Sequence, residues 1–279
     1  MPRIPCVLSI AGSDSGGGAG NQADQKAFAA CGVHGMTAIT AITAQSTLGV
    51  TAVQPIAPEM ILMQVRAVAN DIGVDAVKVG MLGDMATIEA VARALDELGG
   101  RERLPIVLDP VMVAESGARL LAEEARGALV DLLLPRALVI TPNLPEARAL
   151  AEGLDPQAGT GGDEAQLLAR ALHRLGPAVV VVTGGHRQAA TDVFFDGGQP
   201  VEIPGERHPG TAAHGSGCTH SSVLTARLAW GDAPLEAARE AKRRAALAVR
   251  DGLASVGQGA GPVDVLGLLA RGPAGIAVR

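Results

Sequence analysis

The stretch "VLSIAGSDSGGGAGNQAD", residues 7–24, decides the fold. An apolar run at 7–11 breaks into a turn dense in glycine and serine, and a segment of helical periodicity follows. Short runs rich in Val and Ile read as buried strands, and a helix begun straight after the turn completes a strand–turn–helix unit. The unit repeats along the chain. Strands are expected at 7–11, 36–43, 76–80, 106–109, 137–141 and 178–183, and helices at 22–31, 58–72, 84–98, 123–133, 144–152 and 163–175. Such alternation predicts right-handed βαβ crossovers and a mostly parallel sheet, an α/β fold. Beyond residue 183 the pattern changes. "TDVFFDGGQPVEIP", residues 191–204, reads as a hairpin around Asp-Gly-Gly, and helices follow at 218–229 and 235–251. The Gly-rich stretch 154–162 is short enough for a surface loop, so residues 1–279 are expected to form a single domain.

Composition agrees with this reading. Hydrophobic residues make up 48% of the 279, and with 3 Phe, 1 Trp and no Tyr the core must be aliphatic, as in parallel strands buried between helices. A net charge of −6 gives no footprint for nucleic acid, and so few aromatics give no platform for stacking bases. Cys6, Cys31 and Cys218 are too few and too scattered for a disulfide framework or a Cys-based zinc site. No apolar run approaches the ~20 residues of a membrane span, and the N-terminus lacks a signal-peptide core. A cytoplasmic protein is the expectation.

Open α/β sheets bind ligands beyond the carboxyl ends of their strands. Small, polar or ionisable residues follow six strands in turn: "GSDSGGGAGNQAD", "AQST", "GM", "DPVM", "TPNLPE" and "TGGH". The glycines of residues 12–20 would let backbone N–H groups approach a ligand, but no Gly-Lys-Ser/Thr follows, so the turn is not a P-loop. "GAGNQA", residues 18–23, fits the dinucleotide pattern weakly, because its first Gly lies seven residues past the strand. Asp24, in the first turn of the next helix, serves either the helix dipole or a substrate. Asp109 ends a strand. Asn143 and Glu146 flank a helix start, either as an N-cap with its capping-box partner or as oxygens for magnesium held mostly through water.

"HGSGCTH", residues 214–220, places Gly-Ser-Gly at a helix start, where free N–H groups and the dipole favour an anion. The same field is expected to lower the pKa of Cys218. A small buried hydrophobe is the bland alternative, and a thiol hydrolase with His214 or His220 as base is another. His208, His214, Cys218 and His220 match no common zinc spacing.

Taken in order, "IAGSDSGGGAGNQAD", "AITAQST", "VGML", "DPVMVAESG", "TPNLPEA", "TGGH", "HGSGCTHSS" and "GQGAGPV" resemble the hydroxymethylpyrimidine/phosphomethylpyrimidine kinases of thiamine biosynthesis, in the ribokinase-like superfamily. The resemblance runs from about Val7 to Asp264. It implies a three-layer α/β/α sandwich, ATP as phosphoryl donor with Mg²⁺, and often a homodimer. It implies two successive phosphorylations, of 4-amino-5-hydroxymethyl-2-methylpyrimidine and then of its monophosphate. By motif, Asp24 and Gln45 would hydrogen-bond the aminopyrimidine, with Gly12, Met81 and Val111 lining its pocket. Gly215, Ser216 and Gly217 would form an anion hole beside a catalytic Cys218. Asp109, Asn143 and Glu146 would hold magnesium and phosphates, and Thr183 and Lys242 fall at nucleotide-side positions.

The sequence departs from the family pattern at Asn21, Gln25, Ser46, Glu115, Thr183, Ala213 and Ser216. Glu115 and Thr183 stand where the family commonly carries lysine. Three rivals remain: a pyridoxal kinase of the same superfamily, a non-catalytic pyrimidine or nucleotide sensor, and an NAD oxidoreductase resting on "GAGNQA" alone. The Gln45 amide favours a pyrimidine edge over pyridoxal. Residues 114–121, "AESGARLL", are the expected cover over the substrate.

Overall fold

The computed structural model describes residues 3–154, 163–186, 190–208 and 212–271. Its strands are β1 (Cys6–Ala11), β2 (His34–Ile39), β3 (Ala41–Ser46), β4 (Gly49–Pro55), β5 (Ala76–Val79), β6 (Ile106–Leu108), β7 (Val139–Ile140), β8 (Val179–Val182), β9 (Asp192–Phe195) and β10 (Val201–Ile203). Eight of them form one sheet in the order β10-β9-β8-β7-β6-β5-β1-β2. β2, β1, β5, β6, β7 and β8 run parallel, and β9 and β10 add an antiparallel edge.

Alternation within the strands makes two cores. Ile106, Leu108, Val180 and Val182 point to one face, where they meet Ile61 and Val65 of α2 (Pro58–Asp71), Val91 of α3 (Met85–Glu97), Ala125 of α4 (Ala125–Ala128), Leu150 of α5 (Leu144–Leu150) and Leu168 of α6 (Glu164–His173). Val107, Val179 and Val181 point to the other. There they meet Ala27 of α1 (Gly20–Ala30), Val223 and Leu224 of α7 (Ser216–Ala229) and Ala238 of α8 (Pro234–Arg250). Each Val, Leu or Ile among them contributes about 1.5–3 kcal/mol by leaving water. The result is the expected three-layer α/β/α sandwich.

Two expected elements differ. The strand expected at 36–43 is two strands, because the chain turns at Thr40. That residue is fully buried, its N–H donates to Ala11 O at 3.0 Å, and its hydroxyl donates to Met81 O at 2.7 Å. Beyond it, β3 leaves the sheet and pairs with β4 as a separate antiparallel hairpin. The helix expected at 123–133 is one turn of α4 followed by a wider π turn at Leu129–Leu133 and a 3₁₀ turn at Leu134–Arg136. The loop expected at 154–162 lies, from residue 155 onward, outside the described residues.

Candidate active site

The glycine-rich turn after β1 is organised around its own acid. Asp14 is buried, and its carboxylate accepts N–H groups from Gly16 at 2.8 Å, Gly18 at 3.0 Å and Ala19 at 2.8 Å. His214 Nε2 lies 2.9 Å from Asp14 Oδ2. Burial alone would raise the Asp14 carboxyl, but His214 and the loop amides outweigh it and hold the group below its ordinary value. The amides expected to meet a ligand are therefore committed to an internal anion, and the same commitment removes the pyrophosphate cradle that a dinucleotide reading of residues 18–23 requires.

Asp24 is a correction. It is fully buried, and its oxygens accept from Ser9 Oγ at 2.6 Å, Ser222 Oγ at 2.7 Å and Lys78 Nζ at 3.0 Å. No edge remains for an aminopyrimidine, because the side chain is the counter-ion of a lysine placed mid-strand in β5. Lys78 Nζ also lies 3.9 Å from Asp109 Oδ2, which accepts from Ser221 Oγ at 2.9 Å. Burial would lower the Lys78 ammonium, but Asp24, Cys218 and Asp109 raise it above its ordinary value. Sequence reading passed over Lys78. Its signal was a charge inside "AVKVG", where only a paired one survives burial.

The Cys218 expectation is also corrected. Its thiol is pushed up to about 12, by burial first, with Asp109 and Asp24 adding to it against Lys78 and the Gly20 N–H that points at its sulfur. The helix-start field is present, but desolvation and two carboxylates overcome it, so the resting thiol is neutral. The start of α7 is built as expected in outline. Gly215 takes φ +82°, a left-handed turn open to glycine, and Ser216 N–H donates to Ala213 O at 3.0 Å. Among the described residues the Gly217 and Cys218 amides have no backbone acceptor. A Cβ on Gly217 would meet nothing within 4 Å, so the helix start is open beside that residue. Of the three residues expected to form an anion hole, Ser216 spends its N–H on Ala213 O, while the Gly215 and Gly217 N–H groups, like that of Cys218, have no backbone acceptor among the described residues.

Asn143 and Glu146 adopt the capping reading. Asn143 Oδ1 accepts Glu146 N–H at 2.9 Å, and Glu146 Oε2 accepts Asn143 N–H at 2.9 Å. Burial and the nearby Asp109 push the Glu146 carboxyl up to about 8, and burial likewise raises Asp109. Among the described residues no three His, Cys, Asp or Glu side chains are grouped to hold a metal ion. A pair of buried acids with no third protein ligand fits a hydrated Mg²⁺ completed by phosphate oxygens. Thr183 bridges to Asn143 across the strand ends, its N–H donating to Pro142 O at 2.9 Å.

Lys242 is held by a partner the sequence did not indicate: its ammonium donates to Asp192 Oδ1 at 2.6 Å and is buried, so it is the counter-ion of that acid. Asp192 also accepts Gly184 N–H at 2.7 Å and lies 3.1 Å from His220 Nε2. His214 and His220 thus face different acids.

Gly12 and Met81 do meet: a Cβ on Gly12 would stand 2.6 Å from Met81 Sδ. Val111 is half-buried just past Asp109. Gln45 is half-buried on β3 at a bulge and is tied to the glycine turn, Ser15 Oγ donating to Gln45 O at 2.6 Å and accepting Gln45 N–H at 2.8 Å. Residues 114–121 form a tight turn whose Ser116 comes against Gly49 of the hairpin. The polar departures are locally paired: Asn21 with Thr37 and Ala11 O, and Gln25 Nε2 with Met36 O at 3.0 Å.

A family profile described as phosphomethylpyrimidine kinase matches residues 14–264. A hydroxymethylpyrimidine/phosphomethylpyrimidine kinase of Rhizobium meliloti (strain 1021) is 50% identical over 263 residues, spanning 92% of this chain and 95% of that relative. Among solved structures, an ADP complex of Bacillus subtilis pyridoxal kinase matches with TM-score 0.83 and 37% identity, covering 94% of this chain and 97% of that one. A phosphomethylpyrimidine kinase from Clostridium difficile 630 matches with TM-score 0.73 and 37% identity, covering 86% and 97%.

Proposed function

The chain belongs to the phosphomethylpyrimidine kinase family, and from that premise we propose that it phosphorylates hydroxymethylpyrimidine and then its monophosphate with ATP, in thiamine diphosphate biosynthesis. The observation that carries the reading is the start of α7. Two unpartnered amides, Gly217 and Cys218, open the helix beside a buried Lys78–Asp24–Asp109 cluster, and the Gly217 side-chain position is open. Phosphoryl transfer asks the protein for position and charge stabilisation more than for covalent chemistry, and these amides supply donors where negative charge develops.

The acceptor hydroxyl is aligned beside Cys218, and its proton passes late, after a loose transition state, to an oxygen of the transferred phosphoryl group, so a neutral thiol suffices there. A neutral thiol also puts no charge beside an anionic monophosphate, which suits the second phosphorylation. Asp109 and Glu146 are the acids that would hold Mg²⁺, which when bound offsets phosphate charge. Gln45, on its bulged strand, offers both a donor and an acceptor to the pyrimidine edge. Met81, Gly12 and Val111 supply the apolar wall. Thr183 sits beside Asn143 on the nucleotide side. A single kinase domain over residues 1–279, acting in the cytoplasm as a homodimer, completes the reading; no helix among the described residues is long and apolar enough to cross a membrane.

The test is ADP release with ATP-Mg²⁺, comparing hydroxymethylpyrimidine, its monophosphate and pyridoxal. Turnover on both pyrimidines with little on pyridoxal is expected. A preference for pyridoxal overturns the substrate assignment while leaving the phosphotransferase reading intact, and no turnover on any acceptor overturns both.

A further inference from the structure

The Asp14–His214 pair joins the glycine turn to the segment that opens α7, and it belongs to neither the acceptor pocket nor the acid pair. Both side chains are almost withdrawn from water, at 1% and 10% exposure. The contact is crowded on both sides. A Cβ on Gly18 would overlap the His214 ring, and a Cβ on Gly215 would overlap Gly18 O. Two loops from opposite ends of the sequence therefore meet backbone to backbone, with the imidazole as the side-chain link. The backbone of His214 is held separately, its N–H donating to Gly261 O at 3.2 Å and its O accepting Val263 N–H at 3.1 Å. One residue later comes the left-handed Gly215, and then the unpartnered amides.

We propose that His214 is a positioning residue for phosphoryl transfer: clasped to Asp14, it fixes the first turn of α7 against the glycine turn so that the Gly217 and Cys218 amides converge on one point. The role rests on the kinase reading above. Amides that stabilise a transition state act only when held in place beforehand, and misplacement of about 1 Å costs on the order of 100-fold in rate. Asp14 is the fixed end of the clasp, since three loop amides and the imidazole share one carboxylate. His214 is the end that transmits its position.

The experiment compares His214→Ala and His214→Gln with the unaltered protein, by kinetics and by amide hydrogen exchange. Glutamine can still donate an N–H to Asp14. His214→Ala is expected to lower kcat with hydroxymethylpyrimidine at least tenfold while KM for the pyrimidine stays within about threefold. Exchange across residues 216–220 is expected to quicken while residues 223–228 keep their protection. His214→Gln should recover most of both losses. Unchanged exchange in His214→Ala overturns the clasp, and quickened exchange without loss of kcat overturns its role in positioning. Equal loss in both variants overturns the role of the N–H. Absence of turnover by the unaltered protein defeats the kinase reading instead, and the exchange comparison still decides the clasp.

Discussion

Lys78 Nζ lies 3.0 Å from Asp24 Oδ1, and neither side chain has any exposed surface. The pair sits under the α7 start, so it serves the fold and the site's charge at once. Replacing one partner strands the other in a dry interior. Lys78→Met is expected to destabilise the protein by about 3–5 kcal/mol, read as a lower denaturation midpoint in urea. Lys78→Met with Asp24→Leu should recover only part of that, because Ser9 and Ser222 also lose their acceptor. A single variant within ~1 kcal/mol of the parent would refute the assignment.

The two glycines of the proposed anion hole should respond oppositely. Gly217→Ala meets nothing within 4 Å and lies in a helix, so stability should rise by roughly 0.5–1 kcal/mol. Its methyl group enters the space before the free amides, so kcat should fall on the order of 100-fold. Gly215→Ala faces φ +82° and overlap with Gly18 O, and should yield little folded protein. Equal folding yields for the two variants would contradict this geometry.

With its thiol near 12, Cys218 should be the slowest of the three cysteines to alkylate at pH 8. The thiolate is the reacting form, and at that pH it amounts to only about 10⁻⁴ of the population. Mass-spectrometric labelling with iodoacetamide should show the rate climbing with pH, without a plateau below about pH 10. A plateau near neutrality would restore the thiolate reading.

Glu146 gives a pH dependence with a definite sign. Its carboxyl is near 8 in the folded chain against 4.5 ordinarily, so the native state holds the extra proton between those values. Its contribution is full below pH 4.5 and is lost as pH rises through 8. The slope should amount to a few kcal/mol at about 1.36 kcal/mol per unit, and Glu146→Gln should flatten it. Urea denaturation of the magnesium-free protein from pH 5 to 8.5 measures this; parallel curves for parent and variant would count against it.

The sheet, its flanking helices and the hairpin at the sheet's edge were legible because strand runs and turn residues alternate on a short period. Thr40 hid a boundary: "MTAITAIT" alternates without interruption, and only tertiary hydrogen bonds tell that the chain leaves the sheet there. Sequence spacing brought Gly215, Gly217 and Cys218 to one helix start, and the family resemblance brought Gly12 to Met81. It could not tell a carboxylate that meets a ligand from one that meets a buried ammonium. Asp24 and Lys242 each found a partner distant in sequence, Lys78 and Asp192. For Cys218 the field of the helix was foreseen, and the desolvation was not.

The β3–β4 hairpin has a thermodynamic consequence. A lone two-stranded ribbon is marginal in water. This one is fastened mainly at its base: Ser13 N–H on Ala41 O, Ile56 N–H on Thr40 O, the Ser15–Gln45 pair, Thr43 with Ser13, and Thr47 accepting N–H groups of Gln258 and Gly259 at 3.2 Å. Its outer strand is almost wholly exposed. It is therefore expected to open more readily than the central sheet, and Gln45 rides on it. Capture of an acceptor by Gln45 would draw the hairpin down, and the calorimetric signature would include the heat capacity of a segment ordering as well as that of the ligand's own burial.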